Sequence, residues 1–215
     1  MTIEIDHIIP IPLKDRFLQR TSDVWNTHLQ LEPGAFVKIK APSGTGKTTL
    51  IHLLYKLRHD YEGNISFDHK SITAYKDDEL ALLRQQKISV IFQDLRLFPN
   101  LTARENIELK RILQSPLYEK EVIDEMAAEL GITHILNQEA GLCSYGEQQR
   151  IATIRALVQP FEWLIMDEPF SHLDIGNIEK AVRLIEAECR KRKAGLIITD
   201  LDHDTHFNYT KELTL

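Results

Sequence analysis

Cysteine is scarce. Only Cys143 and Cys189 occur among the 215 residues, too few for a disulfide framework and in keeping with a reducing compartment. A basic excess is missing as well. The formal net charge of -6 and the pI near 5.9 argue against broad electrostatic capture of nucleic acid or of an anionic membrane, so no nucleic-acid partner is expected. The one basic cluster, Arg190 to Lys193, reads as the solvated end of a helix. No apolar run approaches the roughly 20 residues that a helix needs to cross a bilayer. The opening stretch, MTIEIDHIIPIPLKDRF, carries acids where a signal peptide needs a basic start and an unbroken apolar core. Internal repeats, low-complexity tracts and a tail long enough for another domain are also lacking. These absences predict a soluble, cytoplasmic protein.

What is present suits one globular domain over 1–215, since 43% hydrophobic content at this length can bury a full core. The pattern alternates. AFVKIKA (35–41) reads as a buried strand, and TTLIHLLYKLR (48–58) as a helix with Leu50, Leu53, Leu54 and Leu57 on one face. YEGNISFDHKSI suggests a turn and a short strand, ELALLRQQ a helix, KISVIFQ a strand, and FEWLIMDE (161–168) an apolar strand ending in two acids. In IEKAVRLIEAEC the face is Ile178, Ala181, Val182, Ile185 and Cys189, with Gly195 stopping the helix before the strand LIIT. Alternating strands and helices imply an α/β fold, a mainly parallel sheet with helices on both faces. Residues of about 95–145 differ. They hold helical segments and no convincing strand, with capping-box spacing at Thr102 to Glu105 and a helix closing at Gly131. This stretch is expected to be a helical lobe inserted between core segments of about 1–94 and 146–215.

Chemistry concentrates in three places. APSGTGKTT (41–49) lies between a strand and a helix, where backbone N–H groups and a helix N-terminus can wrap phosphates. The residues expected to bind nucleotide there are Pro42, Ser43, Gly44, Thr45, Gly46, Lys47, Thr48 and Thr49. Lys47 would reach the β- and γ-phosphates of ATP, and the Thr48 hydroxyl would ligate Mg²⁺. Ala41 stands at the strand's exit in place of the usual first glycine, and its methyl fits there if φ stays negative. In LIMDE, Asp167 is placed to hold Mg²⁺ through water, and Glu168 to orient and deprotonate an attacking water. In LCSYGEQQR (142–150), Ser144 with Glu147 three residues on is a capping box, so a helix begins there with its positive end exposed.

Phosphate loop, helical lobe, then SYGEQQR just before LIMDE: in that order nearly the whole chain resembles an ABC transporter nucleotide-binding domain, a P-loop NTPase of RecA-like fold. APSGTGKTT matches the family's Walker A, Gln93 in VIFQD its Q-loop, SYGEQQR its signature, LIMDE its Walker B, and SHLD (171–174) its D-loop. FQDLRLFPNLTARENI is similar to the corresponding stretch of the lipoprotein-releasing, macrolide-exporting and cell-division ATPases. The resemblance implies a head-to-tail homodimer or heterodimer with two ATPs at its interface. Ser144, Gly146 and Glu147 of one subunit would face the ATP of the other, and Gln93 would join Lys47 and Glu168 in catalysis and Thr48 and Asp167 at the metal. It also implies transmembrane transporter subunits on separate chains, docked on the helical lobe and on about Leu95 to Leu101. The protein would then lie at the inner face of the cell membrane.

Departures from the family pattern bear on rate. Cys143 replaces a leucine, a tolerable apolar exchange. Tyr145 replaces the first signature glycine, where a phenol either obstructs the opposite ATP or donates its hydroxyl toward phosphate. Asp200 follows Thr199 where the family has a histidine on the γ-phosphate, and a carboxylate there repels a triphosphate. His203 is the candidate substitute. Phe17 is the candidate adenine-stacking ring, with Trp25 assigned to the core. A slower ATPase is therefore expected. The competing reading is an ATP-binding regulatory module with negligible turnover. A DNA-repair or chromosome-organising ATPase would need a long coiled coil for which the chain has no room.

Overall fold

The computed structural model describes residues 1–17, 21–42, 44–113, 115–201 and 205–215. In chain order the elements are β1 (Ile3–Pro10), α1 (Lys14–Phe17), β2 (His28–Leu31), β3 (Phe36–Lys40), α2 (Lys47–Leu54), β4 (Tyr61–Phe67) and β5 (Lys70–Ser71). Then come α3 (Asp77–Gln86), β6 (Ile88–Ile91), α4 (Ala103–Ile112), α5 (Glu121–Glu129) and α6 (Tyr145–Leu157). The last four are β7 (Trp163–Asp167), α7 (Ile175–Arg192), β8 (Gly195–Asp200) and β9 (Lys211–Thr214).

Five strands form a parallel sheet in the order β6-β7-β8-β3-β9. Its strands β7 and β8 carry apolar residues on both sides, as a sheet covered on both faces requires, and β3 beside them buries Lys38 among its apolar residues. Trp163 and Ile165 of β7 point into one core with Val37, Ile39 and Ile197. Leu164 and Met166 point into the other with Leu196 and Ile198. The second core is closed by residues of α4 to α7, including Ile107, Met126, Ile154 and Ile185. The first is closed by Leu50, Ile51, Leu53 and Leu54 of α2 and by a second, antiparallel sheet in the order β2-β1-β4-β5.

That antiparallel sheet extends the expected architecture. One face of the parallel sheet carries α2 and α3 beneath another sheet rather than helices alone. Ile3 pairs with Leu31 on one side and Phe67 on the other, so β1 is the central rib that buries all three side chains. YEGNISF is a seven-residue strand, longer than the short one expected.

Other expectations need correction. The helix after the phosphate loop ends at Leu54 rather than residue 58. Lys56 turns left-handed at φ 54°, and Leu57 leaves the buried face with 38% exposure. Gly195 does not stop α7. The left-handed residue is Lys193, at φ 55°, whereas Gly195 opens β8. A Cβ on Gly195 would lie 2.5 Å from the buried Trp163 ring, and that contact explains the glycine. Nor is the basic cluster wholly solvated, because the Arg192 guanidinium is buried against Glu188 and the carbonyls of Leu157 and Gln159. Between 95 and 145 the described residues contain helices and an isolated Thr102–Glu139 bridge, but no strand. Among the described residues no helix is long and apolar enough to cross a membrane.

Candidate functional site

Strand β3 delivers the chain to the phosphate-binding loop at the C-terminal edge of the parallel sheet. Ala41 is buried there and keeps negative φ, so its methyl takes no left-handed strain. Gly44 and Gly46 do adopt left-handed backbone, at φ 79° and 96°, and Gly46 is the N-cap of α2. No side chain caps that helix end. Its first N–H groups and the helix dipole therefore face the loop's concavity, where they favour an anion. Thr45 closes the turn by donating its hydroxyl to the Pro42 carbonyl at 2.7 Å. Trp25, buried as expected, braces the loop from behind by donating its indole N–H to the Thr45 carbonyl at 3.3 Å. Ser43 lies outside the described residues, as does His203, and so does the ring of Phe17.

A cavity of about 390 Å³ opens over this loop, lined by Gly44, Gly46, Lys47, Thr48, Thr49, Gln93 and Glu168 together with Leu13 and Leu201. The Lys47 ammonium is nearly buried, donating to the Ala41 carbonyl at 2.9 Å and pairing with Glu168 Oε1 at 3.0 Å. Gln93 Nε2 donates to Glu168 Oε2 at 3.2 Å. Glu168 thus sits between a cation and an amide, on a left-handed backbone at φ 47°. Asp167 is buried at the end of β7 and accepts the hydroxyls of Thr48 at 2.7 Å and Thr199 at 2.6 Å. Thr199 was absent from the sequence-derived set. Only its register opposite Asp167 on the neighbouring strand reveals it.

The oxygen set of Thr48 hydroxyl, Asp167 carboxylate and Gln93 amide is hard and sparse, which fits Mg²⁺, an ion that takes its remaining ligands from water and phosphate. Among the described residues no group of three His, Cys, Asp or Glu side chains could hold a metal by itself.

Ser144, Gly146 and Glu147 do not line this cavity. Ser144 caps α6 with the expected reciprocal bonds: its backbone N–H donates to Glu147 Oε2 at 2.8 Å, and its Oγ accepts from Glu147 N at 3.4 Å. The Ser144 hydroxyl, donating to Glu147 Oε2 at 2.7 Å, and then the Ser144 backbone N–H hold the Glu147 carboxyl below its usual range. The Tyr145 hydroxyl donates to the Gln93 carbonyl of the same chain at 2.7 Å, and the residue remains 41% exposed. Asp200 stands differently. Its Oδ1 accepts the Leu201 N–H at 2.6 Å, and Leu201, not Asp200, is the residue at the cavity wall.

The sequence matches the ABC transporter family model over residues 24–171. It is 33% identical over 173 residues to the macrolide export ATP-binding/permease protein MacB of Marinobacter nauticus, covering 80% of this chain and 27% of that protein. It is 34% identical over 158 residues to the cell division ATP-binding protein FtsE of Bacillus subtilis, covering 73% and 69%. The chain thus spans about a quarter of the first relative and two thirds of the second. Among solved structures, the dimeric bacterial ABC transporter cassette MJ0796 superposes with a TM-score of 0.76 at 27% identity, over 94% of this chain and 88% of that one. The same cassette is also known as a dimer in a post-hydrolysis state bound to ADP and Pi.

Proposed function

The chain belongs to the ABC transporter ATP-binding family, and on that premise we propose that it hydrolyses ATP to drive transmembrane subunits carried on separate chains. The observation that carries the reading is the convergence of Lys47, Thr48, Gln93, Asp167 and Glu168 on one edge of the sheet, four of them at the cavity and Asp167 bonded to Thr48 behind it. Bound Mg²⁺ would neutralise charge on the β- and γ-phosphates, held by Thr48, Asp167 and Gln93. The chain's own groups do the rest. Lys47 leaves the Ala41 carbonyl and Glu168 to hold the phosphates. Glu168, released from the ammonium and the Gln93 amide, accepts a proton from water. The water oxygen bonds to the γ-phosphorus as the bond to the bridging oxygen of ADP breaks.

We further propose a head-to-tail dimer, homomeric or with a relative, in which the capped start of α6 presents Ser144 and Gly146 to the partner's ATP. The separation of Ser144 and Gly146 from their own cavity supports this arrangement. The transmembrane partner is expected to dock beside Leu95 to Leu101, placing the protein at the inner face of the cell membrane. There a second cavity of about 190 Å³ is walled by Phe92, Phe98, Arg96, Lys110 and Arg155. Phe98 is 57% exposed. Burial draws the Arg155 guanidinium down to about 10. An apolar segment bearing an acid suits that lining.

Steady-state phosphate release decides the central point. The parent should turn over ATP, and Glu168→Gln should not. A parent no faster than Glu168→Gln, with both binding ATP, would establish the regulatory-module reading instead.

A further inference from the structure

We propose that Tyr145 is a positioning residue that latches Gln93 of its own subunit onto Glu168, restraining hydrolysis while the latch is closed. The inference rests on the hydrolytic reading above. Its first support is the contact itself. The Tyr145 hydroxyl donates to the Gln93 carbonyl at 2.7 Å across 52 residues of sequence, and the amide of that same Gln93 lies on Glu168 at 3.2 Å. One residue is thus gripped by α6 through its backbone while its side chain occupies the candidate base.

The second support is that the gripping end of α6 is itself fixed. The Tyr145 ring meets the His172 ring edge-on, with centroids 4.4 Å apart. A Cβ on Gly146 would fall 2.9 Å from the His172 carbonyl, so the two backbones are already in contact. The buried Gln149 donates to Ser171 Oγ at 3.3 Å and accepts the His172 N–H at 3.2 Å. The start of α6 therefore holds both chain segments beside Glu168, the one at Gln93 and the one at 171–172. A glycine at position 145 could make neither the hydroxyl bond nor the ring contact. While the latch is closed, both carboxylate oxygens of Glu168 already hold a donor, Oε1 the Lys47 ammonium and Oε2 the Gln93 amide.

Tyr145→Phe tests this while keeping the ring on His172. In the absence of a membrane partner, kcat should rise about 2- to 10-fold, the range one net hydrogen bond spans, while KM for ATP stays unchanged because the phosphate loop is untouched. In a Gln93→Ala background the same substitution should change nothing, because the side chain it releases is gone. Independently of turnover, amide hydrogen exchange over residues 92–96 of the nucleotide-free protein should quicken in Tyr145→Phe. A slower or unchanged kcat, equal effects with and without the Gln93 side chain, or unchanged exchange would each overturn the latch. If the parent is no faster than Glu168→Gln, the hydrolytic reading fails on its own, and the exchange measurement still decides whether Tyr145 holds Gln93.

Discussion

Lys47→Ala should nearly abolish the stabilisation that ATP with Mg²⁺ confers on the fold. ATP present at a hundred times its dissociation constant stabilises a protein by about 2.7 kcal/mol. For a chain of this size that is a rise in melting temperature of about 5–11 °C. The Lys47 ammonium is 7% exposed and holds two oxygens, at 2.9 and 3.0 Å, in a pocket where phosphate oxygens would replace them. A hydrogen bond to a charged partner in such a place contributes about 1.5–3 kcal/mol. Losing a contribution of about 2.7 kcal/mol, near the top of that range, weakens binding by roughly a hundredfold, so the same ATP concentration now equals the dissociation constant and stabilises by only about 0.4 kcal/mol. The expected increment falls to about 1–2 °C. The nucleotide-free variant should also melt lower, since the Ala41 carbonyl and Glu168 lose their cation. The comparison is therefore the ATP-induced increment within each protein, measured by scanning fluorimetry. An increment in Lys47→Ala equal to the parent's would show that the loop at 41–49 is not where ATP binds.

Glu168→Gln keeps the shape of the site while removing its base, so light scattering with ATP and Mg²⁺ should find a species of twice the parent mass. A variant that stays monomeric at high protein and ATP concentration would rule out self-pairing and require a related partner chain. Gly195→Ala should destabilise by about 1–3 kcal/mol, because its methyl enters the Trp163 ring space at 2.5 Å and the buried core has little room to yield. An unchanged melting temperature would refute the close-packing account of that glycine.

The parallel sheet was legible because each of its inner strands is a short apolar run delivered to a loop with its own chemical signature. The antiparallel sheet was not. Ile3, Glu4, Ile5 and Asp6 alternate as a strand should, and so do Leu29, Gln30 and Leu31, but runs this short carry little periodic signal. Their pairing partners lie 28 and 64 residues away from Ile3, at Leu31 and Phe67. The end of α7 misled for a different reason. A glycine after a basic helical run is the usual helix stop, yet Lys193 accepts the left-handed turn and Gly195 answers to Trp163, 32 residues earlier. In each case the deciding neighbour is remote in sequence.

The candidate site divides along the same line. The positions of Gly44, Gly46, Lys47, Thr48, Asp167 and Glu168 were readable because they follow from spacing along one strand-loop-helix or one strand end. Thr199 and the orientation of Tyr145 were not, since each is set by a partner on another element. Position alone made Tyr145 a residue facing outward across an interface. Its hydroxyl instead donates to the Gln93 carbonyl of the same chain, with the residue still 41% exposed. Glu168 carries a further cost that the sequence hides. Its left-handed backbone is unfavourable by about 1–2 kcal/mol for any residue with a Cβ. A glycine would relieve that strain, as glycine does at positions 44 and 46, where no side chain is used. A carboxylate at 168 therefore persists against the local conformational preference. Its placement between Lys47 and Gln93 is where that strain is offset, because the ion pair and the amide bond both require the side chain that glycine lacks.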